Sequence, residues 1–210
     1  MRLNGNTTRN PETPVRTNRD RVEVDGKRVG EAEKIYLMMN KPRGIVTTAS
    51  DEKGRETVYK LLPQGLPWIA PVGRLDQASE GLLLFTNDTE WSARVTAPET
   101  HLDKTYHVQV ATMADNSLLA ALERGVTENN DVLCAKRTRK LREGEKNSWI
   151  EINLDEGKNR QIRRMFQGLG IEVTRLVRVA IGPLELGSLE KGRTRRILAE
   201  EKEALDEAMC

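Results

Sequence analysis

The stretch "PVGRLDQASEGLLLFTND" at residues 71–88 sets a carboxylate, Asp76, two positions after a guanidinium, Arg74, and shortly before four consecutive apolar side chains. An Asp between Gly73 and Gly81 is at home in a turn, and that is its plain reading. Two features ask for more. Gly81-Leu82-Leu83-Leu84-Phe85 reads as a short buried strand that stops at Thr86-Asn87-Asp88, so the loop ahead of it is held against a rigid core, where functional loops are commonly mounted. In extended backbone the side chains of Arg74 and Asp76 leave the same face, so a cation and an anion would share one site.

Other chemistries find less support. Cys134 and Cys210 are the only cysteines, too few and too far apart for a disulfide framework or a metal cluster. His101 and His107 have no Cys or His companions nearby, and such a pair alone does not make a metal site. "EGKNR" at 156–160 has no glycine five residues before Gly157 and no Ser or Thr after Lys158, which excludes a triphosphate-binding loop. The reading therefore expects no metal and no cofactor.

The elements that must hold this loop follow from periodicity and punctuation. Residues 1–20 are polar, rich in Asn, Thr, Pro and Arg, and read as a flexible tail. At 21–29, valines alternate around Asp25-Gly26, a hairpin signal. Ile35–Met39 reads as a buried strand stopped by Asn40-Lys41-Pro42-Arg43-Gly44. Short helices are predicted at Thr57–Leu62 and Trp91–Val95, a strand at Lys104–Val110, a helix at Asn116–Arg124 capped by Gly125, and a strand at Ser148–Leu154. An amphipathic helix over Arg160–Leu169 and strands at Val173–Val179 and Leu184–Leu186 complete the pattern. Strands outnumber helices in an irregular order, which predicts an α+β fold with a mixed, largely antiparallel central sheet and flanking helices.

At 210 residues the chain is long enough for one ordinary domain or two small lobes. Charged residues make up 31% and aromatic ones 4%, no apolar run reaches the roughly 18 residues of a membrane helix, and no apolar signal-peptide core opens the chain. A cytoplasmic protein without a membrane partner is expected. The net charge of +2 hides an asymmetry: Asp131–Leu198 carries 16 Lys and Arg against 9 Asp and Glu, a local +7. The acidic tail, Glu200–Glu207, reads as a solvated helix face. One basic segment on a nearly neutral protein predicts a polyanionic partner met by one face.

"GRLDQASEGLLLFTND" resembles the catalytic motif of the pseudouridine synthases, in particular the RsuA-type branch that modifies ribosomal RNA. "NKPRGIVTT" at 40–48, "KTYHVQV" at 104–110, "EGKNRQIRRMF" at 156–166 and "VTRLVRVAIGPLEL" at 173–186 match the same branch, each in its place along the chain. The resemblance covers nearly everything from Ile35 to Leu198. It implies a catalytic cleft between two lobes and a uridine in RNA, most naturally ribosomal RNA, as substrate. It also implies Asp76 as the carboxylate nucleophile, with attack on the sugar, attack on the pyrimidine and a glycal route all open to it. By the same resemblance Tyr106 stacks on the target base and moves a proton, and Arg163 pairs with the catalytic carboxylate. Lys104 supports the site or contacts phosphate, and Arg74 inserts where the flipped nucleotide has left the stack. Lys158, Arg160 and Arg164 are candidate RNA contacts, as is the basic run Lys136, Arg137, Arg139 and Lys140. If that run is only a solvated loop, the RNA face would lie around Arg175, Arg178 and Arg193–Arg196.

Many members of this branch begin with a small RNA-binding domain, of which only a stretch like the final hairpin, "RVEVDGKRVG", precedes the catalytic region here. The expected organisation is a tail (1–20), the remnant hairpin (21–33) and a catalytic domain (34–210), acting as a monomer on RNA or ribosomal assembly particles. The rival from another class is a non-catalytic RNA-binding or ribosome-assembly protein of the same fold. A nucleoside hydrolase, the third reading, has no use for the basic segment.

Overall fold

Left-handed backbone at two consecutive residues is what a two-residue hairpin turn of the primed type requires, and the N-terminal stretch adopts it twice: at Asn4 (φ 51°) and Gly5 (85°), and at Asp25 (51°) and Gly26 (76°). The computed structural model describes residues 1–10, 12–16, 19–30 and 33–209, which form two compact units, 1–34 and 35–210. In the first unit β1 (Arg2–Leu3), β2 (Asn6–Thr7), β3 (Val22–Val24) and β4 (Lys27–Val29) make an antiparallel sheet in the order β2-β1-β3-β4. The hairpin around Asp25-Gly26 is as read from the sequence. The flexible tail is not: its first residues pair with β3, and the Asn4 side chain donates to Asp20 Oδ1 (2.9 Å) and accepts from the Arg21 amide (2.8 Å). Asn4-Gly5 is itself a hairpin signal, which the polar composition around it obscured.

The second unit begins with β5 (Tyr36–Lys41), followed by a 3₁₀ turn at Val58–Leu61, β6 (Ala70–Val72), β7 (Glu80–Thr86) and α1 (Thr89–Thr96). Next come β8 (Lys104–Val110), α2 (Asn116–Arg124), a small hairpin of β9 (Val126–Glu128) and β10 (Asp131–Leu133), β11 (Arg137–Glu143) and β12 (Ser148–Leu154). The chain closes with α3 (Gln161–Gly168), β13 (Val173–Ile181), β14 (Leu184–Glu185), β15 (Thr194–Arg196) and α4 (Ala199–Glu207). Asp88 and Asp115 cap α1 and α2 through their side chains, accepting from the amides of Trp91 (3.1 Å) and Leu118 (2.8 Å).

One sheet runs through the unit in the order β11-β12-β8-β13-β7-β5-β15, with β14 on β13 and β6 on β7. Every pairing in it is antiparallel except β7 with β13. This is the mixed, largely antiparallel α+β architecture expected. Its two halves meet at the parallel seam, and each has its own core. Val108, Val110, Ile150 and Ile152 pack with Leu122 of α2 and Ile162, Met165 and Phe166 of α3. In the other half β7 is covered on both faces, which explains its unbroken apolar run. Leu82 and Leu84 pack with Trp91, Val95 and Leu205, while Leu83 and Phe85 pack with Val58, Ile69 and Leu75. The partly buried Tyr106 touches both halves' cores.

The seam admits no side chain at Gly81. Its φ is +103°, and a Cβ there would stand 2.2 Å from the Arg178 carbonyl oxygen, so the residue opening the Leu82–Phe85 run is held to glycine by β13. Among the described residues no helix is long and apolar enough to cross a membrane. Cys210 lies outside them.

Candidate active site

Asp76 stands on the loop that joins β6 to β7, and a buried lysine fixes that loop. Lys41, the last residue of β5, is fully buried. Its ammonium donates to the backbone carbonyls of Pro42 (3.1 Å), Asp76 (3.1 Å) and Ser79 (2.9 Å), one donor for each N–H. Burial pushes this lysine down to about 8, against the upward pull of Asp76 and Glu80. The loop is also held by Gly44 N donating to the Gln77 carbonyl (2.7 Å), by Gln77 Nε2 on the Gly44 carbonyl (3.0 Å) and by Thr47 Oγ1 on the Leu75 carbonyl (2.8 Å). Leu75 is buried between the exposed Arg74 and the half-buried Asp76.

Both Arg74 and Asp76 line a cavity of about 550 Å³, within the roughly 300–1,000 Å³ usual for small-molecule sites. Its other walls come from β8 (Lys104, Tyr106), β13 (Leu176, Arg178), α1 (Val95, Thr96) and the segment Leu154–Ile162. Tyr106 and Arg178 face each other in register across β8 and β13, and Lys104, two residues from Tyr106, lies on the same face. Lys158 and Arg160 also line the cavity, with Lys158 paired to Glu156 at 3.1 Å. The sequence candidates Arg74, Asp76, Lys104, Tyr106, Lys158 and Arg160 are thus gathered around one space.

Four arginines depart from expectation. The cation beside the Asp76 carboxylate is Arg160, with Nη1 3.6 Å from Oδ2. Arg160 precedes α3 in left-handed backbone (φ 49°), a strained choice for a non-glycine residue of the kind often found at sites. Arg163 is half-buried and donates instead to the carbonyls of Ala78 (Nη2, 3.0 Å) and Val173 (Nη1, 3.2 Å). It therefore grips the backbone of the Asp76 loop rather than the carboxylate, and burial, aided by Arg160, lowers its pKa against the opposing pull of Asp76. Arg164 is tied to the β9–β10 hairpin, paired with Glu128 (2.8 Å) and Asp131 (2.6 Å), and does not line the cavity. Arg178, read as a surface alternative, is only 6% exposed.

The basic run reaches carboxylates as well. Lys136 pairs with Asp103 (2.7 Å), Arg139 with Glu151 (2.9 Å) and Lys140 with Glu143, while Arg137 is exposed with no carboxylate partner among the described residues. Sequence reasoning missed Lys41, the role of Arg178, and Glu80, which is buried yet ionised more readily than usual because Arg175 (3.1 Å) and Lys191 (2.5 Å) outweigh its desolvation. All three carry one legible signal: an ionisable residue in or beside an apolar strand run, which folds only with partners.

The sequence pattern of the RNA pseudouridylate synthase family matches residues 35–168. The ribosomal large subunit pseudouridine synthase B of Bacillus subtilis (strain 168) is 37% identical over 194 residues, covering 90% of this chain and 78% of that protein. The protein of the same name from Salmonella typhimurium (strain LT2) is 40% identical over 190 residues, covering 86% and 65%. A crystal structure of a pseudouridylate synthase superposes with a TM-score of 0.73 at 30% identity, covering 97% of this chain and 87% of the other.

Proposed function

This chain belongs to the RNA pseudouridylate synthase family, and we propose that it isomerises one uridine of ribosomal RNA, with Asp76 as nucleophile. The observation that carries the assignment of residues is the convergence of Asp76 and Tyr106 on the walls of one cavity, with Arg160 3.6 Å from the carboxylate. The reaction asks for little else. On the route through the sugar, an Asp76 carboxylate oxygen bonds to C1′ as the C1′–N1 bond breaks and its electron pair passes to the uracil; the ring turns, C5 bonds to C1′ as the Asp76–C1′ bond breaks and its pair returns to the carboxylate, and C5 then loses a proton while N1 gains one. Atoms and electrons balance without an oxidant, reductant or metal.

Each residue has a task in that sequence. Arg160, with Nη1 3.6 Å from Oδ2, orients the Asp76 carboxylate that acts as the nucleophile. Lys41 and Arg163 hold the loop from beneath, fixing where the carboxylate points. Tyr106 offers a ring face to the base and a hydroxyl that has no hydrogen-bond partner among the described residues, and so is free to move a proton. A uridine within folded RNA reaches such a cavity only when flipped from its stack, and the exposed Arg74 at the rim is the side chain suited to fill the gap. Arg137, exposed and with no carboxylate partner among the described residues, is a further cation available for phosphate contact, and Lys158 reaches phosphate only by leaving Glu156.

Mapping pseudouridines across total RNA from cells with and without the protein tests the assignment. Loss of pseudouridine at one ribosomal RNA position, restored by the wild-type gene and not by Asp76→Asn, is the expected result. Unchanged pseudouridine at every position would overturn it. A change confined to transfer RNA would keep the reaction and refute the ribosomal substrate.

A further inference from the structure

The cavity contains a charge that the scheme above does not use. The Arg178 guanidinium is 6% exposed, and its Nε donates to the Leu82 carbonyl (2.8 Å). Nη2 is buried without a hydrogen-bond partner, and no carboxylate pairs with the group among the described residues. A buried charge left in this state is costly unless something else completes it. The fold holds it nonetheless: Gly81, opposite Arg178 across the seam, gives up its side chain to let β7 and β13 approach. Beside it lies Lys104, half-buried and held below the usual lysine range first by burial and then by the Arg178 charge. Two acids pull Lys104 upwards, Asp103, which Lys136 engages at 2.7 Å, and Asp155 on the cavity wall, but burial and Arg178 outweigh them. Two cations thus share the cavity wall with Tyr106, Arg178 opposite it in register and Lys104 two residues before it.

We propose that Arg178 and Lys104 form a subsite for the carbonyl oxygens of the detached uracil, holding its negative charge while the ring turns. The inference rests on the uridine-isomerising reading. When the C1′–N1 bond breaks, the electron pair left on N1 spreads onto the ring oxygens, and the charge that develops there needs fixed donors in a water-poor site. Uracil presents an acceptor, donor, acceptor edge made of O2, N3–H and O4. A half-turn about the axis through N3 and C6 exchanges N1 with C5 and O2 with O4, and returns the same edge to the same place. Donors that read this edge therefore need not move between bond breaking and bond forming. A base stacked on Tyr106 would have Arg178 directly across from that residue and Lys104 two positions along the same strand face.

The test uses an RNA oligonucleotide centred on the mapped uridine, made with uridine, 2-thiouridine or 4-thiouridine at the target, and separately with a neutral methylphosphonate at its 5′ linkage. Single-turnover rates are compared for wild type and Arg178→Met, with circular dichroism to check folding. Loss of a charge-assisted hydrogen bond should slow the uridine reaction by about 10- to 100-fold. Because sulfur accepts hydrogen bonds weakly, the rate ratio between uridine and a thiouridine should shrink in the variant, which a merely structural role would not produce. If Arg178→Met fails to fold, Lys104→Met, at a partly exposed position, carries the same comparison. An unchanged rate or an unchanged thio ratio overturns the subsite. Disappearance of the methylphosphonate effect instead assigns the cations to the backbone phosphate, which also overturns it. No turnover of any RNA by the wild type would remove the proposed function itself, a distinguishable failure.

Discussion

The basic run at 136–140 and the cavity wall formed by β8 and β13 are both sheet segments bearing Lys and Arg, and they treat charge in opposite ways. On β11, register sets Arg139 opposite Glu151, and the two form an ion pair. Lys136 and Lys140 find Asp103 and Glu143. Across β8 and β13, register sets Arg178 opposite Tyr106, and among the described residues no carboxylate forms an ion pair with it. The surface charge that dominates the count of residues is largely neutralised, while the uncompensated charge is inside, where desolvation makes it costly and therefore strong towards a ligand. Net charge in a sequence segment says how many cations it holds. Cross-strand register says which of them remain available.

The largest test of this contrast is Asp76→Asn. Replacing the carboxylate beside Arg160 with an amide should lower the single-turnover rate by roughly three orders of magnitude or more, since an amide cannot act as the proposed nucleophile. RNA affinity should stay within a few-fold or tighten, because the cavity becomes more positive. Turnover near the wild-type rate by a pure preparation would break the assignment.

Arg163→Lys comes next. One planar guanidinium spans the carbonyls of Ala78 and Val173, and an ammonium on a flexible stem cannot reach both in that geometry. The rate on RNA should fall by about 10- to 100-fold at unchanged net charge, since small misplacements of a reacting group are expensive. Arg160→Lys should cost less, because a point charge still serves a carboxylate at 3.6 Å. The reverse order would mean that Arg163, and not Arg160, serves the carboxylate during reaction.

How much of this was legible from residues alone varies with the kind of signal. Lys104–Val110 and Ser148–Leu154 have the predicted limits because each alternates over a half-covered sheet, and Asn116–Arg124 because Asp115 and Gly125 mark its ends. β11 reads from the sequence as a basic run, a solvated loop or strand edge: its side chains are mostly exposed, with only Thr138 and Leu141 partly buried, so "RTRKLRE" carries no period-2 hydrophobic pattern. The three-residue strands β6, β9, β10 and β15 are too short to have a period. Asp76 and Tyr106 could be named because their neighbours in sequence are distinctive. The neighbour of Asp76 could not, because a single left-handed residue, Arg160, decides which guanidinium meets the carboxylate, and backbone hand at a non-glycine residue leaves little trace in sequence.

A smaller effect separates the two roles of Lys41. In the unfolded chain this lysine titrates near its ordinary 10.5, and in the folded protein near about 8. Between those values the unfolded state binds more protons, so this group's penalty on stability is fully present below about pH 8 and is relieved as pH rises towards 10.5. Activity should move the other way, because an ammonium supplies three donors to three loop carbonyls and a neutral amine only two. The melting-temperature difference between wild type and Lys41→Met should shift in favour of wild type above pH 8, while the wild-type single-turnover rate falls by a few-fold. If rate and stability rise together through pH 8, the ammonium is not what positions the Asp76 loop.

The smallest expected effect sharpens the contrast from the surface side. Changing Lys136, Arg137, Arg139 and Lys140 together to Ala removes four formal charges, and four independent phosphate contacts would cost the slope of log affinity against log salt about 0.7 to 0.9 each. With three of the four held by carboxylates, phosphate contact through them requires breaking an ion pair of similar worth, so their net contribution is small. The quadruple variant should therefore lose close to one contact's slope, that of Arg137, and Arg137→Ala alone should reproduce most of the loss. Single-turnover rate at saturating RNA should stay near normal in both, since none of the four lines the cavity. A slope change near the four-contact value would show that RNA displaces Asp103, Glu143 and Glu151 from their partners. The surface cations would then be as available as those in the cavity, and register would not be what divides them.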